Sequence, residues 1–285
     1  MSISRLRWRA ASALITAGAA AVAMFALAVP AGAITGPAQI SPEQSGYTAT
    51  AAQFKTITAT VFLRQPGQYS GQVASVGQSV QLWSPNLVAS FGVTARTSRG
   101  GYTTYATIYD RSTHQVIASN PNAQSCDDTE TCHPGPAHLQ PGFNLRLTIR
   151  YFLPSGVLNL IGTYVDGNGT RFNSTYTVGD TRETFTEARV GTEFGSSPWD
   201  GSYSYTPPAQ YTKVAVFSKV SLTSFSGHTA SLWSWWVHHK LLANTGQQSG
   251  SDWVAAPTDL GSGGTSFQTQ FVPLSAQGSK QPVLH

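Results

Sequence analysis

Residues 144–178 read NLRLTIRYFLPSGVLNLIGTYVDGNGTRFNSTYTV, and this stretch decides the fold class. Its three runs, Asn144–Phe152, Val157–Val165 and Arg171–Val178, are rich in β-branched and aromatic residues. Apolar and polar side chains alternate along them with the two-residue period of a strand buried on one face. Leu153-Pro154-Ser155-Gly156 and Asp166-Gly167-Asn168-Gly169 separate the runs, and both are compact turns of the kind that join antiparallel neighbours.

The same grammar extends in both directions. Phe54–Leu63, Ser79–Ser84, Leu87–Ala95, Tyr102–Tyr109, Gln115–Ser119, Thr184–Glu193 and Tyr211–Phe225 read as further strands between Gly, Pro, Asn and Asp punctuation, and helical periodicity is nearly absent. So many short strands, many with one apolar and one polar face, predict an all-β chain folded as a two-sheet antiparallel β-sandwich. The predicted sandwich spans residues 34–225, and residues 226–285 form a C-terminal β extension and tail. Within the tail, Trp235, Trp236 and Val237 favour a strand over Leu232–Leu242. Residues 195–208 read as a long loop, whose Trp199, Tyr203 and Tyr205 either cap the sandwich edge or form a platform for a sugar ring.

The first 33 residues have the anatomy of a secretory leader. Arg5, Arg7 and Arg9 precede an apolar run from Ala11 to Val29 that closes with Ala31-Gly32-Ala33, so the mature chain is expected to begin near Ile34 and to work outside the cell. Losing those three arginines leaves 14 of 17 basic residues against 13 acidic ones. A near-neutral mature chain gives no field for nucleic acid or an anionic membrane. Beyond the leader no apolar run reaches the roughly 20 residues of a spanning helix. Cys126 and Cys132 are the only cysteines, and in an oxidising compartment they are expected to form one disulfide that rigidifies a loop. No metal or other cofactor is expected. Cys126 and Cys132 with His133 and His138 lack paired ligand spacing, and the adjacent His238 and His239 point to opposite faces of a strand. There is no Gly-x-Ser-x-Gly elbow for a serine hydrolase. Asn168-Gly169-Thr170 and Asn173-Ser174-Thr175 are glycosylation sequons that matter only in a glycosylating host.

The strand Thr184–Glu193 (TFTEARVGTE) carries the chemistry. Alternation places Thr186, Ala188 and Val190 toward a core and Glu187 with Arg189 on the opposite face, about 7 Å apart along the strand. That pair reads either as an exposed ion pair, worth at most about 1 kcal/mol, or as a carboxyl group set on a sandwich face for acid–base work.

At this strand the chain resembles the glutamic peptidases, or eqolisins. The resemblance rests on Thr186–Phe194 (TEARVGTEF), Ser45–Thr50 (SGYTAT), Phe54–Val61 (FKTITATV) and Leu139–Thr148 (LQPGFNLRLT), spread over about residues 45–225. It implies a secreted, concanavalin-like jelly roll whose catalytic Glu corresponds to Glu187. It also implies that a Gln shares with that Glu the task of activating and orienting a water against the peptide carbonyl. Here the sequence departs from the family. The position of that Gln, in Val88–Gly92 (VASFG), is Ser90, and Thr107 stands in Tyr105–Tyr109 (YATIY) where a carboxylate is expected. A hydroxyl does not reproduce both the donor and the acceptor of an amide. Gln81, in Ser79–Ser84 (SVQLWS), is the candidate substitute, and Trp83, Ser90, Tyr105, Thr107 and Arg189 are candidate ligand contacts around it.

The expectation that follows is a secreted β-sandwich that binds an extracellular glycan or peptide without hydrolysing it. The alternatives are a glutamic endopeptidase using Glu187 with Gln81, and a structural surface protein. Convergence of Gln81 and Glu187 in one groove is the observation expected to favour the enzyme.

Overall fold

The computed structural model describes residues 34–35, 38–41, 44–64, 75–96, 101–113, 115–119, 124–126, 132–134, 138–165, 171–179, 181–195, 215–233, 237–244 and 253–271. The leader, the Asp166–Gly169 turn, Trp199, Tyr203, Tyr205, Trp235 and Trp236 lie outside them, as do the side chains of Cys126 and Cys132.

Fourteen principal strands are numbered here in chain order. They are β1 (Gln44–Thr50), β2 (Phe54–Phe62), β3 (Ser75–Trp83), β4 (Leu87–Arg96), β5 (Gly101–Asp110), β6 (Val116–Ser119) and β7 (Asn144–Phe152). Then follow β8 (Val157–Val165), β9 (Arg171–Val178), β10 (Glu187–Gly195), β11 (Ala215–Ser224), β12 (Val237–Asn244), β13 (Trp253–Pro257) and β14 (Phe267–Phe271). The described residues contain no α-helix, only a three-residue 3₁₀ turn at Ser262–Gly264.

Pairing arranges the strands in two antiparallel sheets, as the sequence predicts. One runs β6-β5-β4-β3-β10-β1-β12. The other runs β9-β8-β7-β2-β11-β14. Strand β13 pairs with both β12 and β14 and ties the two sheets along one side. Short segments at Ile34–Thr35 and Gln39–Ser41 lie parallel to β12. Strands β12 and β14, from the expected C-terminal extension, are thus hydrogen-bonded members of the two sheets.

The alternation that announces the fold is what closes it. Along β7, Leu145, Leu147, Ile149 and Tyr151 are buried between residues that face out. Val80 and Leu82 of β3, Phe91 and Val93 of β4, and Ala188 and Val190 of β10 meet them from the other sheet's core face. Each large apolar side chain so buried contributes about 1.5–3 kcal/mol. Phe91 spans the layers, 5.4 Å from the Tyr176 ring of β9, and a methyl on Gly162 of β8 would meet Phe91 at 3.1 Å. Because Phe91 and Val80 point inward, their neighbours Ser90, Gly92, Ser79 and Gln81 are committed to the opposite face of the first sheet. The candidate site lies on that face.

Cys132 is the direct cross-strand partner of Cys126 in a short antiparallel pair.

Candidate active site

Register fixes which side chains meet. Gln81 of β3 stands between Arg189 of β10 and Ser90 of β4, and Ser90 in turn stands opposite Thr107 of β5. One row away, Ser79 lies between Gly191 and Gly92, and Gly92 opposes Tyr105. Directly opposed residues of an antiparallel pair share a face at about 4.5–5.5 Å between Cβ atoms. The sequence-predicted residues Gln81, Trp83, Ser90, Tyr105, Thr107 and Arg189 therefore share one face of one sheet.

The carboxylate at their centre is Glu193. Its Oε1 accepts from the Ser79 hydroxyl, from Nε2 of Gln81 and, at 3.2 Å, from the Ser90 hydroxyl. Its Oε2 accepts from the Tyr105 hydroxyl at 2.6 Å. Four donors converge on one acceptor-only group, charge-assisted bonds that are individually about twice as strong as neutral ones. Tyr105 reaches it because residue 92 is glycine: a methyl there would lie 2.8 Å from the Tyr105 hydroxyl. Burial and the neighbouring Glu193 charge push the Tyr105 phenol well above its ordinary pKa of 10.0, which keeps it a donor.

Gln81 is held in one amide orientation. Trp83 Nε1 donates to Gln81 Oε1 at 2.7 Å, so Nε2 faces Glu193. The Trp83 ring is itself fixed by the Arg189 guanidinium, 3.7 Å from its centroid, with Arg111 at 5.3 Å and Tyr109 edge-on at 6.3 Å. Although this face is turned from the core, Gln81 is only 6% exposed and Ser90 3%.

Glu187 occupies a different place. Its Oε1 takes Arg189 Nε at 2.6 Å and the Thr48 hydroxyl at 2.8 Å. With side chains 16% and 18% exposed, Arg189 and Glu187 form a largely covered ion pair rather than the exposed one the sequence allowed. No hydrogen bond joins Glu187 to Gln81 among the described residues; Arg189 stands opposite Gln81, and Trp83 opposite Glu187. The start of this strand also differs from expectation. Residues 181–186 are not strand, Phe185 is buried edge-on to Tyr151 at 5.1 Å, and Thr186 is exposed. The anchoring of Phe185 in the core breaks the alternation, which resumes at Glu187.

Glu193, on which these four hydrogen bonds converge, is a candidate that sequence reasoning did not single out. It shares parity with Glu187, six residues on, and the faces read from TFTEARVGTE put both on one side.

No family model matches the chain, and no curated protein matches it. Solved structures do. The crystal structure of scytalido-glutamic peptidase with a transition state analog inhibitor superimposes with a TM-score of 0.51 at 13% identity, covering 81% of this chain and 99% of that one. The same peptidase with a peptide-based transition state analog gives 0.51 at 14% identity and the same coverage. At such identity the likeness concerns architecture, and the chain has the two-sheet β-sandwich fold of the eqolisin-type glutamic peptidases.

Proposed function

We propose that the chain is a peptide-bond hydrolase of the glutamic type, with Glu193 and Gln81 as its working pair. The observation that carries this reading is the bond from Gln81 Nε2 to Glu193. The amide that Ser90 fails to supply stands on the adjacent strand, directly opposite Ser90. The fold shared with scytalido-glutamic peptidase supports the reading.

In this mechanism a water binds beside the directly bonded Glu193–Gln81 pair, on the Glu193 carboxylate. Glu193 takes a proton from the water as its oxygen attacks the peptide carbonyl carbon, and then returns that proton to the departing amine nitrogen. A Gln81 N–H faces the carbonyl oxygen as it gains charge, a contribution that such donors make most strongly where water is excluded. Ser79, Ser90 and Tyr105 hold the carboxylate in place, and Trp83 keeps the Gln81 amide from flipping. The leader-like first 33 residues support action outside the cell. Glu187, ion-paired to Arg189, serves in this reading to hold Arg189 against Trp83.

The test is digestion of acid-denatured casein by the purified protein across pH 2–7, with products identified by mass spectrometry. Cleavage is expected. No cleavage anywhere in that range overturns the reading and leaves the binding module favoured by Ser90 and Thr107.

A further inference from the structure

On the other side of Glu193 from Gln81 stands a second amide. Gln44 of β1 is the direct cross-strand partner of Glu193, so the two side chains leave the same face of adjacent strands. Yet among the described residues the hydrogen bonds of the Glu193 carboxylate run toward β3, β4 and β5, to Ser79, Gln81, Ser90 and Tyr105. Gln44 thus stands opposite a carboxylate whose hydrogen bonds run to the other side.

Gln44 is 2% exposed, and among the described residues neither its Nε2 nor its Oε1 has a hydrogen-bond partner. A buried amide with both ends unmet is costly, and folded proteins rarely keep one without a use. In the next row Gly46 faces Gly191, so no side chain rises between the Gln44–Glu193 row and the Thr48–Arg189 row. That vacancy is enforced, since a methyl on Gly46 would run into the Val190 carbonyl oxygen and one on Gly191 into that of Ser45.

We propose that Gln44 binds a main-chain peptide group of the substrate next to the scissile bond. Its Nε2–H donates to a substrate carbonyl and its Oε1 accepts from a substrate N–H. A primary amide offers a donor and an acceptor in one plane, the complement of a peptide group in an extended chain. The side-chain-free Gly46–Gly191 row lets that chain lie close to the sheet. Glu193 is then flanked by two amides with different tasks, Gln81 on the reacting water and Gln44 on the substrate. The location beside Glu193 rests on the hydrolase reading above, and the amide-to-peptide contact does not.

The test uses Gln44→Met, which keeps length and removes both polar atoms. Its melting temperature is expected at or above that of the wild type, because no protein hydrogen bond is lost. On acid-denatured casein, KM is expected to rise about tenfold with kcat within about threefold, the pattern of lost uniform binding. Binding is read separately by titrating acid-denatured casein into Glu193→Gln and into the double variant Glu193→Gln/Gln44→Met, with the double variant expected about tenfold weaker. A wild type inert on casein removes the hydrolase reading alone, and the binding comparison still decides this one. Equal binding by the two variants, or none by either, overturns the role of Gln44. So does a melting temperature several degrees below wild type in both Gln44→Met and Gln44→Leu, which would reveal a partner within the protein.

Discussion

Replacing Tyr105 with Phe removes the one hydroxyl that, among the described residues, bonds Glu193 Oε2, while Oε1 keeps its three donors. A hydrogen bond to a charged group is worth about 1.5–3 kcal/mol, so Tyr105→Phe should cost about 2 kcal/mol at neutral pH. For a chain of this size that corresponds to a melting temperature lower by roughly 4–8 °C. The cost should also depend on pH in a determined direction. The folded-state pKa of Tyr105 is raised above 10.0, so above that pH the unfolded chain releases a proton that the folded chain keeps. The unfolded state then binds fewer protons, and wild-type stability, whole below pH 10.0, falls as pH rises beyond it. By pH 11 this costs the wild type up to about 1.4 kcal/mol, a loss that Tyr105→Phe escapes. Urea unfolding followed by tryptophan fluorescence at pH 8 and pH 11 should show the gap between the two proteins narrowing from about 2 to under about 1 kcal/mol. A gap that stays constant or widens would refute the picture of a neutral Tyr105 phenol held against the Glu193 carboxylate. The raised phenols of Tyr47 and Tyr176 titrate in both proteins and leave the comparison unaffected.

Trp83→Phe keeps an aromatic ring for Arg189 but takes away the indole N–H that fixes Gln81 Oε1 at 2.7 Å. It should fold, and its kcat on casein should fall about tenfold through loss of about 1.4 kcal/mol of orientation; unchanged kcat would show that Gln81 needs no such guide. Cys126 and Cys132 occupy opposed positions, so thiol titration of the unfolded, unreduced protein should find no free thiol, and two would contradict the bond. N-terminal sequencing of exported protein should begin near Ile34, and Met1 on that product would contradict the leader.

What the sequence made legible was whatever depends on neighbours along the chain. Strands β7, β8 and β9 have the bounds that alternation and turn residues indicate, because a half-buried strand must repeat every two residues. The face shared by Gln81, Ser90, Tyr105 and Arg189 was legible for the same reason. Glu193 was not, since the choice between Glu187 and Glu193 is made by register. Gln81 lies opposite Arg189, and the short side chains Ser79 and Gly92 leave room through which Glu193 reaches Gln81. None of that is written within β10. The exposed Thr186 and buried Phe185 went unread because the core contact of Phe185 with Tyr151 comes from a distant strand. Gln44 carries no local signal at all, and its meaning arises only from standing opposite Glu193.

The central claim, that Glu193 rather than Glu187 is the working carboxylate, is tested most directly by comparing Glu193→Gln and Glu187→Gln in one casein assay, with circular dichroism confirming that both are folded. Each variant keeps the size of the side chain and removes its charge. Glu193→Gln should abolish hydrolysis, whereas Glu187→Gln, which loosens Arg189 from its place over Trp83, should keep at least about a tenth of wild-type kcat/KM. Robust hydrolysis by Glu193→Gln, together with its complete loss in Glu187→Gln, would contradict the account.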